Sequence, residues 1–101
     1  MTYGAISQVL KLELSTQFKK DLKKIIKQGK DKSKLNAVIT SLQHETLLAK
    51  KFRDHELVGN WRGYRECHIA PDWLLIYKVH DGKVKLLRLA RTGSHAELFK
   101  K

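Results

Sequence analysis

The 101 residues allow one compact domain, and a composition of 42% hydrophobic and 31% charged residues is enough for a single small core. No apolar run approaches the roughly 20 residues of a membrane span, the start lacks the layout of a signal peptide, and the lone Cys67 permits no intramolecular disulfide. The formal net charge of +11 predicts a polyanionic partner, either nucleic acid or an acidic protein.

The N-terminal half predicts one strand followed by two amphipathic helices. The segment "VLKLELS" alternates apolar and charged residues, which is typical of a half-buried strand. Ser15 and Thr16 offer N-cap oxygens for a first helix that Gly29 ends. The apolar stripe of this helix consists of Phe18, Leu22, Ile25 and Ile26. A second helix, capped by Asp31 or Ser33, has a stripe of Leu35, Val38, Ile39 and Leu42.

The C-terminal half predicts a loop and then three strands. Residues 46–60 carry weak signals and predict a loop, with at most a short edge strand. High β-propensity marks "WRGYRECHI", "WLLIYKV" and "VKLLRLAR", and Ser94 caps a brief helical turn after them. The element order predicts a single α+β domain over residues 1–101, with a mostly antiparallel sheet, a three-strand meander and both helices on one face.

The two predicted hairpins bring polar residues to one end of this sheet. A two-residue turn at Asp81 and Gly82 sets a register in which Asp72 faces Arg91, and His95 follows four residues later. Pro71 favours a turn over residues 70–73, which places His68, two residues before that turn, at the same end of the sheet. The cluster that we expect is His68, Asp72, Arg91 and His95.

Such a cluster is suited to acid–base chemistry on a phosphodiester. Histidine exchanges a proton near neutral pH, a carboxylate acts as a base or orients an imidazole, and arginine stabilises charge on phosphate oxygens. RNA supplies its own nucleophile, the 2′-hydroxyl, so cleavage needs no metal. Each residue alone also fits a structural role, such as a turn aspartate or a paired strand histidine, and only their convergence favours chemistry.

A zinc site is the alternative for the same side chains. The possible ligands are His55, His68, Asp72 and His95. No closely spaced ligand pair supports such a site, and Arg91 would disfavour a cation beside it. We therefore predict that the protein uses no metal and no other cofactor.

Three stretches of the sequence, which extend well beyond this cluster, are similar to a known protein family. "FRDHELVGNWRGYRECHIAPDWLLIYK", "LRLARTGSHAELF" and, more weakly, "FKKDLKK" resemble the RelE superfamily of bacterial toxins from toxin–antitoxin pairs, specifically its YafQ-like branch. The resemblance implies a RelE-like fold, similar to small microbial ribonucleases. It also implies a cytoplasmic, metal-independent endoribonuclease that enters the A site of the 70S ribosome, cuts the messenger there by 2′-hydroxyl attack and stops translation.

The resemblance also implies roles for individual residues. The active-site positions are His55, His68, Asp72 and His95. The substrate contacts are Arg88 and Arg91 at the phosphate, Phe99 near the nucleobase, and Trp73 beside the site. For Trp73 a role in the core fits equally well. Either Asp72 or His95 is the base, and a histidine is the acid. The eight N-terminal residues and the two final lysines depart from the pattern of the branch.

The implied partners are a cognate antitoxin, the ribosome and messenger RNA. The antitoxin would be a small acidic protein, often with a ribbon-helix-helix half that binds operator DNA, and the toxin would reach that DNA only through it. No membrane partner is implied. Because a fold does not establish an activity, a non-catalytic basic module that binds RNA or the ribosome remains the alternative, and a metal-dependent hydrolase is a third.

Overall fold

The computed structural model describes residues 9–99, so the predictions for residues 1–8 and 100–101 lie outside the described residues. The elements are β1 (Lys11–Leu14), α1 (Thr16–Lys27), α2 (Lys32–Gln43), β2 (His55–Glu56), β3 (Arg65–Ala70), β4 (Trp73–Asp81), β5 (Lys85–Gly93) and α3 (His95–Phe99). The five strands form one sheet in the order β1-β5-β4-β3-β2, in which only the β1–β5 pair is parallel. The predicted α+β architecture is confirmed. Within residues 9–99 no helix has the length and hydropathy to cross a membrane.

The long helices begin where their capping residues predict. Ser15 Oγ accepts from the amide of Phe18 at 2.9 Å and donates to a β5 carbonyl at 2.8 Å, which ties the start of α1 to the sheet. Asp31 caps α2 through the amide of Ser33. The apolar stripe of α2 is buried as predicted. In α1 the predicted stripe is partly wrong, because Ile26 is exposed and the polar Asp21 is buried.

The two faces of the sheet are covered differently. One face packs against α1 and α2 and forms the main core, which includes Phe18, Ile25, Leu35, Leu75, Tyr77 and Leu87. The other, which we call the open face, carries no long helix. A smaller apolar cluster lies there, formed by Leu74, Ile76, Ala90 and Leu98 with Leu57, Trp61, Tyr64 and Phe99 packed against it. Leu74 and Ile76 are fully buried in this cluster, so solvent reaches the open face at the half-buried members and at the polar residues around them.

The predicted register of the last hairpin is wrong. Asp81 pairs with Lys85, so the loop holds three residues, and Ile76, not Asp72, pairs with Arg91. Gly82 does not adopt the positive φ that a two-residue type I′ turn requires. A bulge at Ala90 then shifts the ladder by a further residue.

Candidate active site

The site forms where β3 turns into β4, at one end of the open face. The predicted turn is present, since Ala70 pairs with Trp73 across Pro71 and Asp72. His68 stands on β3 just before that turn, and its ring centroid lies 5.7 Å from that of His95 at the start of α3. The predicted convergence of His68, Asp72 and His95 is confirmed geometrically.

Asp72 and His95 form a double contact. The Asp72 Oδ1 accepts from the backbone amide of His95 at 3.1 Å and lies 2.9 Å from its Nδ1. These hydrogen bonds to His95 hold the pKa of the Asp72 carboxyl below its usual range, so this group is an ionised acceptor at neutral pH. The proton of the neutral imidazole therefore sits on Nδ1, and Nε2 is left free to exchange one with a substrate.

A capping box fixes the helix that carries His95. The Ser94 amide donates to Glu97 Oε1 at 2.9 Å, and the Glu97 amide donates to Ser94 Oγ at 3.2 Å. Glu97 also lies 2.8 Å from Lys24 Nζ of α1. The hydrogen bonds from Lys24 and the Ser94 amide lower the pKa of Glu97 to about 2. The first turn of α3 is thus held to both β5 and α1.

Glu66, which the sequence analysis missed, joins the two remaining histidines. Its side chain is only 6% exposed, and Oε1 lies 3.2 Å from His55 Nε2 and 3.9 Å from His68 Nε2. The signal was the spacing in "RECHI", where Glu66 and His68 are two residues apart and so share one face of a strand. Either imidazole is a cationic partner for this buried carboxylate only when its Nε2 carries a proton.

His55 is held by contacts on both of its ring nitrogens. Its Nδ1 lies 2.7 Å from the carbonyl oxygen of Arg53, which can only accept, so Nδ1 carries a proton. Arg53 adopts a left-handed conformation at φ 49°. The next residue, Asp54, accepts from buried Tyr77 at 2.6 Å and pairs with Arg65 at 3.3 Å. The loop that carries His55 is thereby pinned to β3 and β4.

The predicted substrate residues lie in three different settings. The Phe99 ring is 6.3 Å from the His95 ring, at the edge of the cluster. Arg88 is exposed, four residues before Thr92 on β5, and pairs with Glu13 at 2.6 Å. Trp73 is 4% exposed on the helix side of the sheet, and its Nε1 donates to Thr92 at 2.9 Å, which accounts for it as a core residue.

Arg91 does not join the cluster, so that part of the predicted convergence is wrong. Its Nε donates to Asp21 Oδ2 at 2.7 Å and its Nη2 donates to Oδ1 at 3.1 Å. The register explains the difference, because Arg91 stands opposite Ile76, two pairs inward from the turn. The buried Asp21 needs this cation, and it also accepts from the amide of Thr92.

Three of the clustered side chains could contact a single metal ion. Ligand atoms of Glu66, His68 and His95 lie within 4.8 Å of one another, and no other such group occurs among residues 9–99. Imidazole and carboxylate are ligands that zinc and copper accept. Cys67 lies outside this group; burial raises the pKa of its thiol to about 12, which leaves it unreactive.

Fold and site together define the class. A small basic α+β domain with both long helices on one face of a five-stranded sheet, and with imidazoles and carboxylates gathered on the other, is the RelE-like toxin class that the sequence resembles.

The comparisons with known proteins identify the family within that class. The chain belongs to the YafQ family, whose model, described as "Bacterial toxin of type II toxin-antitoxin system, YafQ", matches residues 10–100. The "mRNA interferase toxin YafQ" of Escherichia coli K12 is 49% identical over 89 residues, which cover 87% of this chain and 94% of that protein.

Two crystal structures show the same fold in relatives. A copper-bound mutant toxin from Helicobacter pylori is 48% identical with a TM-score of 0.83, over 89% of this chain and 99% of that one. The toxin in a DinJ-YafQ complex from E. coli is 48% identical with a TM-score of 0.81, over 89% of this chain and 98% of that one. At this similarity the family assignment rests on sequence and structure alike.

Proposed function

We propose that this protein is the toxin of a toxin–antitoxin pair and a metal-independent endoribonuclease that cuts messenger RNA in the A site of the 70S ribosome. The observation that carries the proposal is the Asp72-oriented His95 beside the ring of His68, with Glu66 Oε1 3.9 Å from His68 Nε2 and 3.2 Å from His55 Nε2. This arrangement gives two separate proton-transfer groups around one space. The E. coli relative, described as an mRNA interferase toxin, supports the same activity.

The proposed reaction is in-line attack by the 2′-oxygen on the adjacent phosphorus. The bond from this oxygen to phosphorus forms, the bond to the 5′-oxygen breaks, and a cyclic phosphate and a 5′-hydroxyl result. One group must take the 2′-hydroxyl proton and another must protonate the departing oxygen. We assign these two tasks to His95 on one side and to His55 or His68 on the other.

Asp72 in this proposal orients His95 and does not itself act as the base. Its lowered pKa makes the carboxylate a weak proton acceptor at neutral pH. The same carboxylate stabilises the imidazolium that forms when His95 takes a proton, as the aspartate of a catalytic triad does. A modest acid–base apparatus is sufficient if the ribosome itself orients the messenger for attack.

The remaining contacts hold the messenger. Phe99 offers a ring against a base beside His95, and Arg88 offers an exposed guanidinium to a phosphate. Arg91 uses Nε and Nη2 on Asp21 and has its remaining donors for the same strand of RNA. Trp73 supports this edge from the core through Thr92. The many exposed lysines add non-specific, salt-dependent attraction to ribosomal RNA.

The test is messenger cleavage on purified ribosomes, mapped by primer extension. Wild type is expected to cut in the A site, and His95→Ala is expected to abolish the cut, whereas the matched control His80→Ala, on the exposed end of β4, is expected to cut normally. Inhibition of translation with intact messenger would instead establish the non-catalytic binding module.

A substrate with a sulfur in place of the departing 5′-oxygen assigns the two proton-transfer groups. Sulfur leaves without a proton, so this messenger rescues the variant that lacks the general acid and does not rescue the one that lacks the general base. Rescue of only one side, either His95→Ala or its counterpart at His55 or His68, is expected. Rescue of both sides or of neither contradicts the assignment.

The cofactor prediction is tested by removal and addition of metal. Undiminished cleavage in EDTA is expected, since the 2′-hydroxyl needs no metal to attack. Added copper is expected to inhibit, because an ion held by Glu66, His68 and His95 would occupy the proton-transfer groups. Loss of activity in the chelator would favour the metal-dependent hydrolase.

The proposed protein partner is an acidic antitoxin with a ribbon-helix-helix half that binds operator DNA. The net charge of +11 favours an acidic partner, and the E. coli relative forms a complex with DinJ. We place the protein in the cytoplasm, where both partners are found. Co-purification with the product of an adjacent reading frame tests the pairing.

A further inference from the structure

We infer that the open face carries a second RNA subsite, an aromatic and basic platform of Trp61, Tyr64, Lys78 and Arg88 that binds a nucleotide of the messenger flanking the cleaved bond. This inference rests on the proposed function, because it places the platform on the path of the same RNA strand. The platform is distinct from the histidine cluster, and the residues that form it were not singled out together by the sequence.

The aromatic part of the platform is built by two rings in contact. Trp61 and Tyr64 pack edge to face, with ring centroids 5.3 Å apart at an angle of 83°. Both are half-buried against the apolar cluster of the open face, so their positions are fixed while part of each ring meets solvent. Fixed rings are what a stacking surface for an unpaired base requires.

The basic part surrounds these rings. Lys78 Nζ lies 5.4 Å from the centre of the Tyr64 ring. Lys78 pairs with Arg88 across β4 and β5, which puts both cations on the same row of the open face. Trp61, Tyr64 and Arg88 line a cavity of about 450 Å³ that reaches Ala90 and Arg91. Aromatic walls with cations at the rim are suited to a nucleotide, whose base is flat and whose phosphate is anionic.

The existing partner of Arg88 is one that a phosphate can replace. Arg88 pairs with Glu13, but both side chains are more than 40% exposed, and exposed pairs contribute little to stability. The Arg91 guanidinium beside it is held by the buried Asp21 and is not free to move in the same way. The exposed arginine is therefore the phosphate contact of the platform.

The register connects this platform to the active site. His68 pairs with Leu74, and Lys78 lies four residues further along β4 on the same face, a separation of roughly 13 Å at 3.3 Å per residue. The Glu66–Ile76 pair occupies the row between them. The β4 side chains of this face, Leu74 and Ile76, are fully buried, and Trp61, Tyr64 and Phe99 pack against them. A single strand that crosses the surface of this apolar cluster would pass from the histidines to the aromatic rings, so the platform contacts a neighbour of the cleaved nucleotide.

Steady-state cleavage on ribosomes is the first test, with Trp61→Leu and Arg88→Gln compared with wild type. Each is expected to raise KM by about 5-fold or more while kcat changes little, because the platform binds RNA and does not take part in proton transfer. Arg62→Gln is the matched control; it removes an equal charge from an exposed neighbour outside the cavity. An unchanged KM in both platform variants, or an equal rise in the control, overturns the inference.

Tryptophan fluorescence provides a second readout that does not depend on cleavage. The chain has two tryptophans, and Trp73 is 4% exposed, so the Trp73→Phe variant reports on Trp61 alone. A short single-stranded RNA with 2′-O-methyl groups, which cannot be cut, is expected to quench this signal at low salt. No quenching overturns the inference even if cleavage is normal. Quenching without any wild-type cleavage would leave the subsite standing and remove the proposed nuclease.

A protein partner on the same face is the outcome that these experiments must separate. If Trp61→Leu leaves cleavage and RNA quenching unchanged but weakens neutralisation by the antitoxin, the platform is a protein surface and the inference fails. Arg88→Gln keeps the test valid if Trp61→Leu folds poorly, since the Arg88 side chain is exposed and its loss leaves no cavity.

Discussion

A single carboxylate oxygen of Asp72 contacts two groups of His95, since Oδ1 lies 3.1 Å from the backbone amide and 2.9 Å from Nδ1 of the histidine. The amide contact fixes the start of α3 against the turn, and the ring contact fixes the tautomer. One turn aspartate thus sets both the position of His95 and the ring nitrogen that carries its proton in the neutral form.

Asp72→Asn is expected to lower kcat on ribosomes by about 10²- to 10⁴-fold while the protein stays folded. An amide at this position no longer stabilises the imidazolium, and its NH₂ group can favour the wrong tautomer, as in a triad with the same replacement. Asp81→Asn, in the exposed hairpin end, removes an equal charge and is expected to behave as wild type. A kcat within 3-fold of wild type for Asp72→Asn would show that the contact is only structural.

Glu66→Gln is expected to reduce kcat on the order of 10- to 100-fold, because it loosens two imidazoles at once. Glu56→Gln, on the neighbouring strand with an 82% exposed side chain, is the matched control and is expected to retain full activity. The same cleavage assay measures both, with circular dichroism to verify folding. Equal rates for the two variants would remove Glu66 from the site.

Local patterns predicted much of the fold and part of the site. The Pro71 turn, the α2 stripe and the Ser94 cap all depend on neighbouring residues, and all three are confirmed. The position of Arg91 depended instead on counting across a hairpin. The loop is one residue longer than predicted and also starts one residue later, which together shift the register by three residues, and the bulge at Ala90 adds a fourth. Neither change has a local signal in the sequence.

Burial was the other property that the sequence did not show. Asp21 interrupts the apolar stripe of α1 and is buried because Arg91 arrives from 70 residues away to pair with it. The prediction of a half-buried first strand is wrong, because β1 lies at the edge of the sheet with a single neighbour and its Leu12 and Leu14 are exposed. Such outcomes are set by tertiary contacts that periodicity alone cannot supply.

Asp21→Asn is expected to destabilise the fold by about 2–4 kcal/mol, because it leaves the half-buried guanidinium of Arg91 without its anion. Glu13→Gln, which breaks the exposed pair with Arg88, is expected to change the free energy of unfolding much less, because water screens exposed ion pairs. Urea unfolding followed by circular dichroism gives both values. A similar small loss in the two variants would mean that water already screens the Arg91 pair.

Glu97 makes the anchoring of α3 sensitive to acid, because the anchoring depends on its ionised carboxylate. Its pKa is about 2 in the folded protein and 4.5 in its ordinary state, so the unfolded chain binds a proton first as pH falls. The stabilisation is therefore complete above about pH 4.5 and is lost as pH falls towards 2. The stabilisation is on the order of 1–3 kcal/mol, because about a quarter of the Glu97 side chain meets solvent and water weakens its ion pair with Lys24.

Glu97→Gln is therefore expected to lose less stability than wild type between pH 4.5 and 2, and to be less stable than wild type at pH 7. Glutamine keeps an acceptor for the Ser94 amide but loses the ion pair with Lys24, so the difference isolates the charge. Glu45→Gln, in the exposed pair with Lys85, serves as the control and is expected to follow the wild-type curve. Thermal unfolding at each pH provides the measurement, and parallel curves for Glu97→Gln and wild type would show that the lowered pKa does not anchor the helix.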